Sequence, residues 1–132
     1  MILTTTSEAV RTAVGTEAGG EAEAAWTCLV RRGMLHSECE AAEHWLLPRG
    51  SVLTTHPGHG VEEALLVLEG VLRLTTPSGE HTVRAGQLAL VPQECRARIT
   101  ADSPTARLVS VRGLSASVSG RLPPRVPELT RP

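Results

Sequence analysis

GSVLTTHPGHGVEEALLVLEG, residues Gly50 to Gly70, is the stretch on which the reading of this chain turns. Ser51 to Thr55 is β-prone and leads into His56 and His59, with a Pro-Gly turn between the two histidines. Glu62 and Glu63 then open a second apolar run, Ala64 to Leu68, and Glu69-Gly70 reads as a hairpin turn into a third, Val71 to Thr75. Two strands therefore bring imidazole and carboxylate groups to one turn. Such a grouping suits a divalent metal ion.

The pattern continues on the C-terminal side. Pro77-Ser78-Gly79 is a turn, His81 to Arg84 a strand, Ala85-Gly86 a turn, and Leu88 to Val91 a strand stopped by Pro92. Ala97 to Thr100 and Arg107 to Arg112 follow, separated by Asp102-Ser103-Pro104. On the N-terminal side, Trp26 to Val30 and His44 to Leu47 read as strands, and Met34 to Glu43 as a polar connection or a ragged edge strand. Short strands at even spacing with Gly and Pro turns, and no helical period from residue 26 onward, predict an all-β sandwich or barrel.

Residues 1–25 read as an N-terminal arm, with a short helix over Ser7 to Val14 and a Gly19-Gly20 tether. The barrel spans 26–113. Residues 114–132 form a tail, Ser/Gly-rich and then Pro-rich, which is expected to stay outside the sheet.

Composition narrows the function classes. At 132 residues the chain makes one domain with a core of its own. A net charge of −1 gives no electrostatic case for nucleic acid or an anionic membrane. Trp26 and Trp45 are the only aromatic residues, so the core is built from Leu, Val and Ala, and a base-stacking surface is not expected. Cys28, Cys39 and Cys95 form no CxxC pair and read as free thiols. With no signal peptide and no apolar run of spanning length, the expected location is the cytoplasm.

Gly50, His56, His59, Glu63 and Gly70, followed by Gly86 and Pro92, resemble the two motifs of the cupin superfamily over about residues 44 to 112. The phrases HPG and VLEG are similar to the wording of the first motif. The resemblance implies a double-stranded β-helix, the jelly-roll barrel, with a substrate inside it. It also implies a divalent ion (Fe, Zn, Mn or Ni) held by His56, His59 and Glu63. The family separates its two histidines by one residue. Either His56 takes the second place and Thr54 the first, or His56 and His59 are the pair with one extra residue between them. The fourth ligand position falls on Ala97 in both alignments.

Strand alternation places Val52, Thr54 and His56 on one face, and Glu63, Leu65 and Val67 on one face of the next strand. Two chemistries follow. With a metal, His56, His59 and Glu63 hold it while Thr54 or Glu62 touches the substrate. Without one, His56 and Glu63 act as an acid–base pair. Arg96 and Arg98 are expected in solvent, His81 exposed, and His44 packed or at the rim. The resemblance implies a small-molecule enzyme, a tailoring step (cyclisation, isomerisation, dehydration or oxygenation) in a bacterial biosynthetic pathway. The alternative is a metal-free ligand-binding or sensing module. A homodimer is expected, pairing through the arm and the strand at Trp26.

Overall fold

The computed structural model describes residues 1–35, 39–55, 60–115 and 120–122. The expectations for His36, His56, His59 and the Pro-rich segment from residue 123 onward lie outside the described residues.

Ten antiparallel strands form one sheet in the order β7-β6-β9-β4-β1-β2-β3-β10-β5-β8. They are β1 (Val10–Thr16), β2 (Glu21–Arg31), β3 (Cys39–Pro48), β4 (Ser51–Thr54), β5 (Val61–Glu69), β6 (Val71–Thr76), β7 (Gly79–Arg84), β8 (Leu88–Val91), β9 (Arg98–Ala101) and β10 (Thr105–Leu114). The sheet curls into a nearly closed jelly-roll barrel. The end strands β7 and β8 follow one another through the turn at Gly86, where the β5–β8 ladder runs on: the Gly86 amide donates to the Val67 carbonyl (2.8 Å) and the Val67 amide to the Gln87 carbonyl (3.1 Å). No helix is long and apolar enough to cross a membrane among the described residues.

The all-β expectation holds, and four local readings change. Ser7 to Val14 is not a helix: Val10–Thr16 is β1, paired with both β2 and β4. Gly19-Gly20 is not a tether but the turn of the β1–β2 hairpin, with Gly19 at φ 92° and the Thr16 amide donating to the Gly20 carbonyl at 3.0 Å. The exposed arm therefore shrinks to residues 1–9. Its β character was hidden because the inward positions of this hairpin hold Thr12, Val14, Ala22 and Ala24. Small or polar side chains there dilute the period-two signal.

The third change is at Cys39 to Glu43, which belongs to β3, a central strand between β2 and β10. The fourth is at Glu69-Gly70, where the turn is not a hairpin. β5 pairs with β10 and β8, whereas β6 pairs with β7 and β9, so this corner carries the chain from one wall of the barrel to the other. Gly70 has φ 78°, and a Cβ there would overlap the Thr105 carbonyl oxygen and Ser103 Oγ. Only glycine satisfies both limits. Ser103 locks the corner by accepting the Val71 amide at 2.9 Å.

The core lies between the walls. Leu47, Leu65, Val67 and Leu108 from one side meet Leu72, Leu74, Ile99 and Ala97 from the other. Each fully buried leucine is worth roughly 1.5–3 kcal/mol. β2 is paired on both sides and Trp26 lines the interior cavity, so the strand at Trp26 offers no free edge to a second subunit. The free edges are β7 and β8.

Candidate active site inside the barrel

Cross-strand register builds the site. Paired residues project to the same face, so Leu47, Leu108 and Val67 in the core define the inward set. Continuing toward the mouth, Cys28, Glu43, Ser110 and Leu65 form one inward row. Ala41, Arg112, Glu63 and Val91 form the next. Glu43, Ser110, Arg112 and Glu63 thus converge inside the barrel from β3, β10 and β5.

These side chains bond to one another. Arg112 Nη2 pairs with Glu43 Oε1, and Trp26 Nε1 donates to Glu43 Oε2. Ser110 Oγ donates to Glu63 Oε1 at 2.6 Å. The Glu43 side chain is 9% exposed and the Arg112 side chain 38%. The carboxylate is therefore spent on holding its partners, while the guanidinium keeps an open side. A buried carboxylate needs such partners, because desolvation otherwise penalises the charge heavily.

Two cavities meet at this cluster. A mouth chamber of about 530 Å³ is lined by Trp26, Cys28, Arg31, Arg32, Glu40, Gln93 and Cys95, among others. An inner chamber of about 250 Å³ is lined by Val14, Trp45, Leu53, Ile99 and Ser110, among others. Glu43, Thr54, Glu63 and Arg112 border both and form the waist between them. Trp26 and Trp45 are cross-strand partners with ring centroids 6.4 Å apart. Every aromatic ring of the chain thus borders this space. The size suits a small organic molecule.

Glu63 is an inward waist residue, while Glu62 beside it is exposed. Thr54 borders the cavities, but its register partner is exposed Arg98. The core-facing pair on those strands is Leu53 with Ile99, which puts Leu53 and Thr55 on the inward face. The parity expected for Val52 and Thr54 is thereby reversed. Thr55 Oγ1 accepts the Ala97 amide at 2.8 Å and donates to the Cys95 carbonyl at 3.1 Å, so its hydroxyl serves the backbone. Ala97 is fully buried and apolar beside Ile99.

His44 is buried on the outward face, paired with Thr27 and Val109. Burial pushes its imidazole pKa below the ordinary value, Arg107 adds to the shift, and Glu69 opposes it. The Cys39 thiol pKa is pushed up, first by burial and then by Glu40, which disfavours the thiolate.

Solved structures share this architecture. A predicted oxalate decarboxylase from Thermotoga maritima superposes with a TM-score of 0.71 at 19% identity, over 87% of this chain and 100% of that one. The cupin domain of Schizosaccharomyces pombe Cnp3 gives 0.62 at 13%, over 87% and 93%. This chain has the cupin fold. An HTH_3 family transcriptional regulator from Vibrio cholerae also superposes with the cupin barrel, at 0.61 and 15% identity, over 70% of this chain and 51% of that one. No family model and no curated protein matches the sequence.

The resemblance to cupins implies a metal held by His56, His59 and Glu63, and the two histidines lie outside the described residues. Among the described residues no group of three or more His, Cys, Asp or Glu side chains converges. The nearby carboxylates already have partners: Glu43 holds Trp26 and Arg112, and Glu63 accepts from Ser110. The described donors alone do not fit a metal ion.

Sequence reasoning missed Glu43, Ser110 and Arg112. The available signal was parity: Ser110 and Arg112 continue the inward alternation of Ala106 and Leu108, so polar groups stand on the core side of β10.

Proposed function

We propose that this cupin barrel is a small-molecule enzyme that moves a proton at Glu63, in a cyclisation, isomerisation or dehydration of the kind that tailors a biosynthetic product. The observation that carries the reading is the direct register pairing of Glu63 with Arg112 at the waist of the cavity. A carbonyl compound seated there presents its oxygen to the open side of Arg112 and an adjacent C–H to Glu63. The Glu63 carboxylate takes that proton, the C–H electron pair becomes the enolate π bond, and the oxygen takes the negative charge beside the guanidinium. Glu63 then returns the proton to a different carbon, or to a hydroxyl that leaves as water. Ser110 orients the carboxylate, and Glu43 with Trp26 orients Arg112. A divalent ion bound by His56, His59 and Glu63 would polarise the same oxygen.

The test uses a panel of 1,3-diketones and β-keto esters as probes in D₂O. Proton loss is followed by NMR, and entry is followed by quenching of Trp26 and Trp45. Wild type is expected to quench and to accelerate exchange, and Glu63→Gln to quench while losing about a hundredfold or more of the rate. Quenching with exchange at background in wild type overturns the enzyme reading. That outcome leaves a metal-free binding or sensing module, the reading that the likeness to a transcriptional regulator supports.

A further inference from the structure

Proton transfer at the waist uses Glu63, Arg112 and the groups that hold them, and leaves the inner chamber without a task. Past the waist its walls are Val14 of β1, Trp45 of β3, Val52 and Leu53 of β4, and Ile99 of β9. Ser110 adds a hydroxyl, but that hydroxyl already donates to Glu63. The far end of the chamber is therefore apolar. Protein cores pack to the density of organic crystals, and apolar space left unfilled costs stability. A chamber of about 250 Å³ kept open in such surroundings is shaped for a ligand group. An apolar cavity of about 150 Å³ takes up benzene, so this one has room for an aromatic ring and the carbonyl carbon attached to it.

The two sides of the waist differ in chemistry. Toward the mouth the walls include Arg31, Arg32, Glu40 and Gln93, with Arg32 and Glu40 ion-paired at 3.7 Å. Toward the interior Trp45 presents an indole, held against its cross-strand partner Trp26 with 53° between the ring planes. An aromatic ring meets such an indole edge to face or offset. A ligand whose reacting carbonyl stands between Glu63 and Arg112 has one substituent on each side of the waist. Burial favours the apolar substituent on the inner side. A charged substituent there would lose its hydration among apolar side chains.

We propose that the substrate is an internal ketone or 1,3-dicarbonyl compound with an apolar arm the size of an aromatic ring on one side of its carbonyl and a polar arm on the other. It binds with the apolar arm in the inner chamber. The carbonyl's place at the waist rests on the proton-transfer reading, whereas the seat of the arm is read from affinity, which needs no reaction. The probes are pentane-2,4-dione, 1-phenylbutane-1,3-dione and its ring 4-sulfonate, titrated calorimetrically into the full chain. The phenyl compound is expected to bind about tenfold or more tighter than pentane-2,4-dione, and the sulfonate about tenfold or more weaker than the phenyl compound. Nuclear Overhauser contacts from the ring protons are expected to reach the methyls of Leu53 and Ile99, and not those of Leu114 or Leu122, which line the mouth. Leu53→Gln, polar at nearly the same size, is expected to cut the phenyl preference to about threefold or less with unchanged far-ultraviolet circular dichroism. Equal affinity for pentane-2,4-dione and the phenyl compound overturns the proposal. A sulfonate that binds as tightly as the phenyl compound also overturns it, because the ring then sits beside Arg31 and Arg32, and so do ring contacts to Leu114 and Leu122 alone. Should Leu53→Gln not fold, the wild-type affinities and ring contacts decide. The expected ranking without proton exchange overturns the enzyme reading and supports the seating of the arm; exchange without the ranking does the reverse.

Discussion

Glu43 and Arg112 sit on neighbouring strands, β3 and β10, two residues out of register, and reach each other diagonally inside the barrel. The indole of Trp26 binds the other oxygen of the same carboxylate. A nearly buried acid therefore spends both oxygens on fixing a base and an aromatic ring, and Arg112 is the register partner of Glu63. At the waist Glu43 holds Arg112 and Trp26, and Ser110 donates to Glu63.

Removing the positioning acid leaves the guanidinium and the indole without their partner. Breaking a buried pair costs about 3–5 kcal/mol. Arg112 is partly exposed, so screening reduces that for Glu43→Ala to about 2 kcal/mol. Urea unfolding is expected to show this loss, together with a shift in tryptophan emission as Trp26 loses its acceptor. Unchanged stability and emission would mean that the pair is not held as described.

The corner at Gly70 admits no side chain. Gly70→Ala places a Cβ against the Thr105 carbonyl and Ser103 Oγ at a backbone angle that L residues avoid. Strain and overlap together are expected to cost about 3 kcal/mol or more. Gly50→Ala, at φ 82° but with nothing within 4 Å of the added carbon, separates the two terms and is expected to lose only about 1–2 kcal/mol.

Acidification acts through His44. Its pKa in the fold lies below the ordinary value of 6.5 because burial and Arg107 disfavour the imidazolium. Between those two values the unfolded chain binds more protons than the folded one, so the histidine's contribution to stability is complete above about pH 6.5 and is lost as pH falls below it. Urea midpoints are expected to drop from pH 7.5 to pH 5.5 in wild type, with a shallower slope in His44→Gln. Equal slopes would remove His44 as the cause.

Chelation separates the two chemistries of the waist. Because the described carboxylates already have partners, proton exchange on the dicarbonyl probes is expected to survive EDTA treatment within about twofold. Loss of exchange that returns on adding one divalent metal would assign the step to a metal site including His56 and His59 instead.

Much of the fold is legible in the sequence. Gly50, Gly70 and Gly86 mark corners with positive φ in the sequence itself, and the runs from Ser51 to Arg112 alternate clearly because large aliphatic side chains fill their inward positions. The first hairpin was not legible, since Ala22, Ala24 and Thr12 carry too little hydrophobic contrast to announce a strand. β3 was obscured for the opposite reason. Its inward Glu43 reads as a solvated residue until the partners that neutralise it are known.

The sequence by itself determined an all-β barrel and placed Glu63 at the head of a strand beside a turn rich in histidine. Only the tertiary structure decided which groups meet there. Glu43, Glu63, Ser110 and Arg112 come from three strands as much as 69 positions apart in the chain (Glu43 to Arg112), and their meeting depends on register. Local sequence carries the period of a strand, because that is a property of its own backbone. Register is set by which apolar faces pack across the barrel, and a shift of one residue would turn every one of these groups to the other side of the wall.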